Sequence, residues 1–239
     1  MTGCIVGWAH APFGKHENED VESLIAQVAT QAVADAGLDP EDIDEIVVGN
    51  YGDAFSAQGF PASLVLQTSD AFRFKPATRV ENACATGSAA IMSGLTALAA
   101  RKARFVLVVG VEKMTGISGK AIGDALLKAS YVKEEAHIEG GFAGVFGTIA
   151  NQYFQRYGDQ SDALAAIAAK NHANGCDNPY AQMRKDLGYD FCRNESEKNP
   201  FVAGPLKRTD CSLVSDGAAA VVLADSSTAL SLDKAVAFR

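Results

Sequence analysis

Five short apolar, β-branched runs set the terms on which this chain can fold. They fall at Cys4–Ala9, Ile43–Gly49, Ala77–Asn82, Phe105–Val111 and Ala218–Ala224. Each has strand length and turn residues at its ends, the pattern of a strand covered on both faces. Helical patterns separate the first four. Over Val21–Ala36 the residues Val21, Leu24, Ile25, Val28, Ala32 and Ala36 share one face, with Asp20 placed to cap the start and Gly37 to stop the end. Ala62–Ser69 carries a weaker helical pattern. Ala85–Lys102 is rich in small residues and apolar around most of its circumference, as in a helix buried inside a core. This alternation predicts an α/β layered fold with a mostly parallel five-stranded sheet.

After Glu112 the alternation lapses for roughly a hundred residues, far longer than an ordinary loop, so the interval needs structure of its own. Phe142–Tyr157 and Asp162–Asn174 read as helices, the second with Ser161 or Asp162 as its cap and Gly175 as its stop. Around Pro179, Pro200 and Pro205 the chain is polar and irregular. The expected organisation is a core formed by 1–111 and 206–239, with 112–205 inserted as a long helical loop excursion over one face of the sheet, where such excursions commonly contact substrate.

Composition narrows the function. A formal charge of −8 excludes a broadly basic surface for nucleic acid. The first residues lack a basic stretch followed by a long apolar one, and no apolar run is long enough to span a bilayer, so neither a signal peptide nor a membrane span is expected. Cys4, Cys84, Cys176, Cys192 and Cys211 show no metal-ligand spacing, and their odd number suits a reducing compartment better than a disulfide framework. The expectation is a cytoplasmic protein without metal or resident cofactor.

Chemistry concentrates in Arg79-Val80-Glu81-Asn82-Ala83-Cys84-Ala85-Thr86-Gly87-Ser88, where a strand gives way to a helix. Unpaired N–H groups and the positive end of the helix dipole favour a thiolate at such a junction, and the small neighbours leave room for a thioester and a pantetheine arm. A buried cysteine acting as a small hydrophobe is the other reading, and the residues alone leave both open.

The segment Glu81-Asn82-Ala83-Cys84-Ala85-Thr86-Gly87-Ser88 resembles the nucleophile motif of thiolases. Asn171-His172, Asn178-Pro179-Tyr180-Ala181-Gln182 and Asp210-Cys211-Ser212 through Ser215-Asp216-Gly217-Ala218 are similar, in order and spacing, to blocks of the SCP2-type, sterol-carrier-protein-x-like thiolases. The resemblance covers essentially the whole chain. It implies a ping-pong acyl transfer in which Cys84 takes an acyl group from acyl-CoA, ahead of condensation with a second acyl-CoA or in thiolysis of a 3-oxoacyl-CoA. It also implies that Phe146 lines the acyl or pantetheine pocket and that Ser212 faces the pantetheine chain. Lys207-Arg208 and Arg184-Lys185 are candidates for the CoA phosphates, or simply solvated surface.

In that family the acid–base groups come from a second half-domain, through a Gly-His-Pro histidine, an asparagine-held water and a Cys-x-Gly cysteine. None of His10, His16, His137 or His172 lies in Gly-His-Pro, and no cysteine here precedes x-Gly. The expectation is therefore an incomplete catalyst whose C-terminal half is absent, served by a partner chain that carries it, in a chain that also self-associates as a homo-oligomer. A ketoacyl-synthase-like condensing enzyme and a non-catalytic assembly subunit are the competing readings. Asp216-Gly217 is expected to form a tight turn, and Glu112-Lys113-Met114 a structural corner.

Overall fold

The computed structural model describes residues 3–52 and 55–238. In chain order the elements are β1 (Gly3–His10), α1 (Val21–Asp35), β2 (Glu45–Gly49), α2 (Pro61–Leu64), β3 (Ala77–Val80), α3 (Thr86–Ala99) and β4 (Phe105–Glu112). There follow α4 (Gly119–Leu127), α5 (Val132–Glu135), α6 (Gly141–Tyr157), α7 (Ser161–Asp177), α8 (Gly188–Arg193), β5 (Phe201–Ala203) and β6 (Leu206–Lys207). The chain closes with β7 (Gly217–Asp225), α9 (Ser226–Ala229) and β8 (Val236–Ala237). It divides into two compact units, Met1–Gly116 with Ser215–Arg239, and Ile117–Val214.

The first unit is an α/β/α sandwich. Its sheet has the order β3-β2-β4-β7-β1-β8. All five expected strands are present, and β3, β2, β4 and β1 run in one direction, while β7 is threaded antiparallel between β4 and β1. A sixth strand, β8, adds two residues along the outer edge of β1.

Side chains alternate across this sheet with the period of two that a strand imposes. Phe105, Leu107, Val109 and Val111 of β4 join Ile46 and Val48 of β2 under α1, whereas Val106 and Val108 join Val47 under α3. Both faces are thus covered, which is why the strands read as unbroken apolar runs. Helix α1 begins in a capping box, with Asp20 and Ser23 bonding each other's backbone N–H, and is followed by Gly37 at φ 67°.

Helix α3 differs from the expectation of burial all round. Ala90, Gly94, Leu95, Ala97 and Leu98 are buried against the sheet, while Gly87, Ser88, Met92 and Thr96 are exposed. Its small residues serve close approach on one side: a Cβ on Gly94 would fall 2.9 Å from Leu223 Cδ1 and 3.1 Å from Val108 Cγ2. The weak helix over 62–69 is broken, one turn of α2 passing into a 3-10 turn at Val65–Gln67.

Asp216 and Gly217 form no tight turn. Gly217 opens β7, and the Asp216 carboxylate is fully buried at the corner where β4 ends. It accepts from Lys113 Nζ at 2.8 Å, Met114 N at 2.7 Å, Thr115 N at 2.8 Å, Thr115 Oγ1 at 2.6 Å and His16 N at 3.1 Å. This web explains why the first unit extends to Gly116 and resumes at Ser215, rather than dividing at 111 and 206.

The second unit is mostly helical, and α4, α5, α8 and the β5–β6 hairpin were not anticipated from the sequence. Helix α7 begins at Ser161 with Gln160 in the cap position, and it is the Asp159 carboxylate, rather than Ser161 or Asp162, that accepts from the first N–H, Ser161 N at 2.9 Å, and from Ser161 Oγ at 2.5 Å. Gly175 does not stop it, since the helix continues to Asp177. No helix among the described residues is long and apolar enough to cross a membrane.

Burial pushes the Asp216 carboxyl up, but the bonds from Lys113, Thr115 and His16 outweigh it and hold the group well below its ordinary range. Its contribution is therefore full above the unfolded value near 3.9 and drains away as pH falls through the lower folded value. Replacing Asp216 with Ala strands the Lys113 ammonium and should cost about 3–5 kcal/mol in urea unfolding at neutral pH, with Asp216→Asn losing less.

Candidate active site

Strand β3 ends at Val80, and the chain turns through Glu81 and Asn82 into a 3-10 turn, Ala83–Ala85, that feeds α3. Cys84 occupies the middle of that turn and is exposed. Ala83 adopts φ 46°, a left-handed conformation that costs a non-glycine residue on the order of 1–3 kcal/mol unless its surroundings impose it. They do so here. Asn82 N donates to Thr86 Oγ1 at 2.8 Å, Thr86 Oγ1 donates to Ala83 O at 2.7 Å, and Ala83 N donates to Glu81 Oε1. No side chain caps the start of α3; the 3-10 turn takes its place, with Ala85 N donating to Asn82 O at 2.9 Å and Thr86 N to Ala83 O.

Beneath this turn lie the C-terminal ends of β2 and β4. Gly49 closes β2 so near α3 that a Cβ there would stand 3.1 Å from Thr86 Cγ2. Asn50, buried, donates through Nδ2 to Val111 O at 3.0 Å and Glu112 Oε1 at 3.2 Å, and the Tyr51 N–H bonds the same Oε1. Arg79 reaches across from β3 to Asn50 O at 3.2 Å and Tyr51 O at 3.0 Å. Burial raises the Tyr51 phenol, with Glu81, Cys84 and Glu112 adding to the effect.

Glu112 is more than the corner the sequence suggested. Burial pushes its carboxyl up to about 7, against the lowering effect of the Tyr51 N–H and of Arg79. Its Oε2 has no hydrogen-bond partner among the described residues. The available signal was a lone carboxylate closing an apolar strand at the carboxyl end of the sheet, where ligand crevices of α/β folds lie. Asn50 and Tyr51 gave no comparable signal, since only their fold neighbours make them part of the site.

The other expected residues belong to the second unit. Phe146 and Ser212 are brought together there, on one cavity of about 1070 Å³ whose walls include Phe142, Ile149, Tyr153, Phe154, Leu164 and Ile167. A neighbouring cavity of about 650 Å³ shares Asp210, Cys211 and Ser212 with it and carries His172, Lys185, Lys198 and Arg208. Lys207 is not a solvated cation: it is 2% exposed, with its ammonium 3.4 Å from Asp210 Oδ2 and 5.8 Å from the centre of the Phe201 ring. Arg184 is turned onto Cys176 O at 3.0 Å. His137 is exposed, His16 is bonded to Pro12 O at 2.7 Å, and His10 contacts Ala11 O at 2.5 Å. No cluster of three or more His, Cys, Asp or Glu residues suited to a metal occurs among the described residues.

Comparison with known proteins agrees with this architecture. The profile of the family described as "Thiolase, N-terminal domain" matches residues 4–227. An acetyl-CoA acetyltransferase of Methanocaldococcus jannaschii is 34% identical over 226 residues, covering 94% of this chain and 56% of that protein. Sterol carrier protein 2 of Bos taurus is 28% identical over 232 residues, covering 92% of this chain and 41% of its own length. The solved structure of an acetyl-CoA acetyltransferase from Syntrophomonas wolfei superposes with a TM-score of 0.75 at 20% identity, over 97% of this chain and 67% of that one, a likeness of fold. The chain spans about half the length of the curated relatives it matches.

The environment of Glu112 makes stability depend on pH in a definite sense. Its folded value lies above the ordinary 4.5, so the native state keeps this proton to higher pH than the unfolded chain does. Stability from this group is full below the unfolded value and falls as pH rises toward 7, by about 3 kcal/mol at most. Urea titrations between these pH values should show that decline in the wild type and lack it in Glu112→Gln.

Proposed function

The chain belongs to the thiolase family, matching its N-terminal domain over nearly its whole length, and on that premise we propose that it forms the acyl-accepting part of a thiolase-type acyltransferase, with Cys84 as the nucleophile. The observation that carries this reading is the placement of an exposed thiol on a strained turn at the uncapped head of a 14-residue helix. In the half-reaction, the Cys84 thiolate attacks the thioester carbonyl of an acyl-CoA, the carbonyl π electrons move onto oxygen, and the collapse of that intermediate expels CoA thiolate. Carbon–sulfur bond formation to Cys84 matches carbon–sulfur cleavage from CoA. The thiolate expelled recovers the proton that Cys84 surrendered, and the intermediate oxyanion needs hydrogen-bond donors beside the thiol. The step uses no resident cofactor.

The second unit by itself has an aromatic-walled cavity, with Phe146 and Ser212 on its lining, whose size and lining suit an acyl chain and the pantetheine arm, and its adjoining cavity with Lys185, Lys198 and Arg208 suits CoA phosphates. Turnover needs a base for the thiol and an acid–base group for the second substrate's α-carbon. Among the described residues no hydrogen bond joins a histidine to Cys84, which supports a reading in which those groups come from a partner chain or a further domain. The relatives named acetyl-CoA acetyltransferase support the CoA thioester as substrate.

Intact-protein mass spectrometry of the wild type and Cys84→Ala, with acetyl-CoA and longer acyl-CoAs, tests the assignment. One acyl group should appear on the wild type and none on Cys84→Ala. An adduct that persists in Cys84→Ala removes Cys84 as acceptor, and a wild type that stays unmodified by every acyl-CoA means either that Cys84 is not activated without groups from outside this chain or that the chain is a non-catalytic subunit. Phe146→Ala should weaken binding of long acyl-CoAs, measured by calorimetry, about tenfold more than binding of acetyl-CoA, as lost apolar contact predicts.

A further inference from the structure

The two branches of the Thr86 side chain join the sheet to the turn that carries Cys84. The methyl branch faces the end of β2, where a Cβ on Gly49 would come within 3.1 Å of Thr86 Cγ2. A β-branched residue has little freedom about χ1, so the place of its methyl fixes the direction of its hydroxyl. That hydroxyl points back along the chain rather than into α3. Oγ1 accepts from Asn82 N at 2.8 Å and donates to Ala83 O at 2.7 Å, and Ala83 is the residue at φ 46°. Glu81 Oε1 holds the Ala83 N–H from the exposed side. The strained peptide is thus gripped at its N–H by Glu81 and at its carbonyl by Thr86, immediately ahead of Cys84. Thr86 is 8% exposed, whereas the thiol it flanks is open to solvent.

We propose that Thr86 is a positioning residue for Cys84: its hydroxyl holds the left-handed Ala83 peptide, and with it the direction in which the thiol is presented to an acyl thioester. The inference rests on reading Cys84 as the nucleophile. A left-handed alanine persists only where its surroundings over-determine it. Without the hydroxyl, the Asn82 N–H loses its acceptor and Ala83 O loses one of its two donors, the Thr86 N–H being the other. Ala83 is then free to relax to an ordinary negative φ, which turns the residue that follows it, Cys84. Attack on a thioester needs sulfur and carbonyl carbon brought to roughly 3–3.5 Å in alignment, and a misplacement of about 1 Å costs up to about a hundredfold in rate. A small alkylating reagent arriving from solvent makes no such demand, so the turn can lose its geometry without hiding its thiol. No step of the transfer passes through Thr86 itself.

The test compares the wild type with Thr86→Ser, which keeps the hydroxyl, and Thr86→Val, which keeps the shape. Each is measured for acylation by acetyl-CoA, for alkylation of Cys84 by iodoacetamide read peptide by peptide, and for hydrogen exchange of the Asn82 amide by NMR. Thr86→Val should be acylated about tenfold or more slowly while its alkylation stays within about twofold of wild type. Its Asn82 amide should exchange about tenfold or more faster. Thr86→Ser should restore both acylation and exchange. Thr86→Val acylated at the wild-type rate overturns the proposal, as does Thr86→Ser slowed as much as Thr86→Val, or alkylation slowed by the same factor as acylation. Should Thr86→Val fail to fold, the wild type decides alone: Asn82 lies outside every helix and strand, and an amide there exchanging as fast as in an unstructured peptide also overturns it. Exchange needs no acyl transfer. A wild type that no acyl-CoA modifies therefore counts against the function proposed for this chain alone, while exchange that quickens in Thr86→Val and recovers in Thr86→Ser keeps this inference standing, and unchanged exchange sinks it.

Discussion

The closeness with which α3 lies on the sheet determines where Cys84 stands. Gly94 and Ala90 bring the helix onto β4 and β7, and Gly49 lets its first turn settle directly on the end of β2. A side chain at either glycine would hold the helix off and shift the cysteine's turn with it. Just ahead of this helix Ala83 adopts a left-handed conformation, for which Thr86 and Glu81 supply compensating hydrogen bonds.

Two buried carboxyls at the end of β4 show how neighbours decide the chemistry of one functional group. Asp216 is surrounded by donors, including the Lys113 ammonium, and stays ionised far into acid. Glu112, the last residue of β4, has one oxygen satisfied and one without a partner among the described residues, and burial pushes it up to about 7. A fully bonded carboxylate acts as a fixed anchor, whereas a half-bonded one changes charge within the range in which enzymes work. The corner accordingly contains a permanent tie and a titratable one.

The sequence was most legible where a local rule and the fold agreed. Asp20 and Gly37 bound α1 as capping chemistry requires, and all five apolar runs became strands. It was least legible where side chains had alternative partners. Ser161 bonds Asp159 instead of capping α7, and Lys207 folds inward to Asp210 and Phe201 instead of meeting solvent. Met92 shows the limit of composition, since an apolar residue among small ones looked internal and is half exposed. For the site, Cys84 stood out as a candidate at a strand-to-helix junction and was singled out by the likeness of its segment to the thiolase motif, while Glu112 lies 61 positions from Tyr51 and joins the Asn50–Tyr51 pair only in the fold.

What the sequence determined by itself was periodic or local: which runs are strands, which face of α1 is buried, and which cysteine heads a helix. Those follow from side-chain spacing and from chemistry within a few residues. Only the tertiary structure decided that β7 enters the sheet between β4 and β1, that Asp216 becomes a buried anchor, and that Glu112 shares a hydrogen-bond web with the segment under Cys84. The reason is physical: burial and electrostatic fields are properties of neighbours in space, and Glu112 stands 61 positions from Tyr51 while bonding its N–H directly.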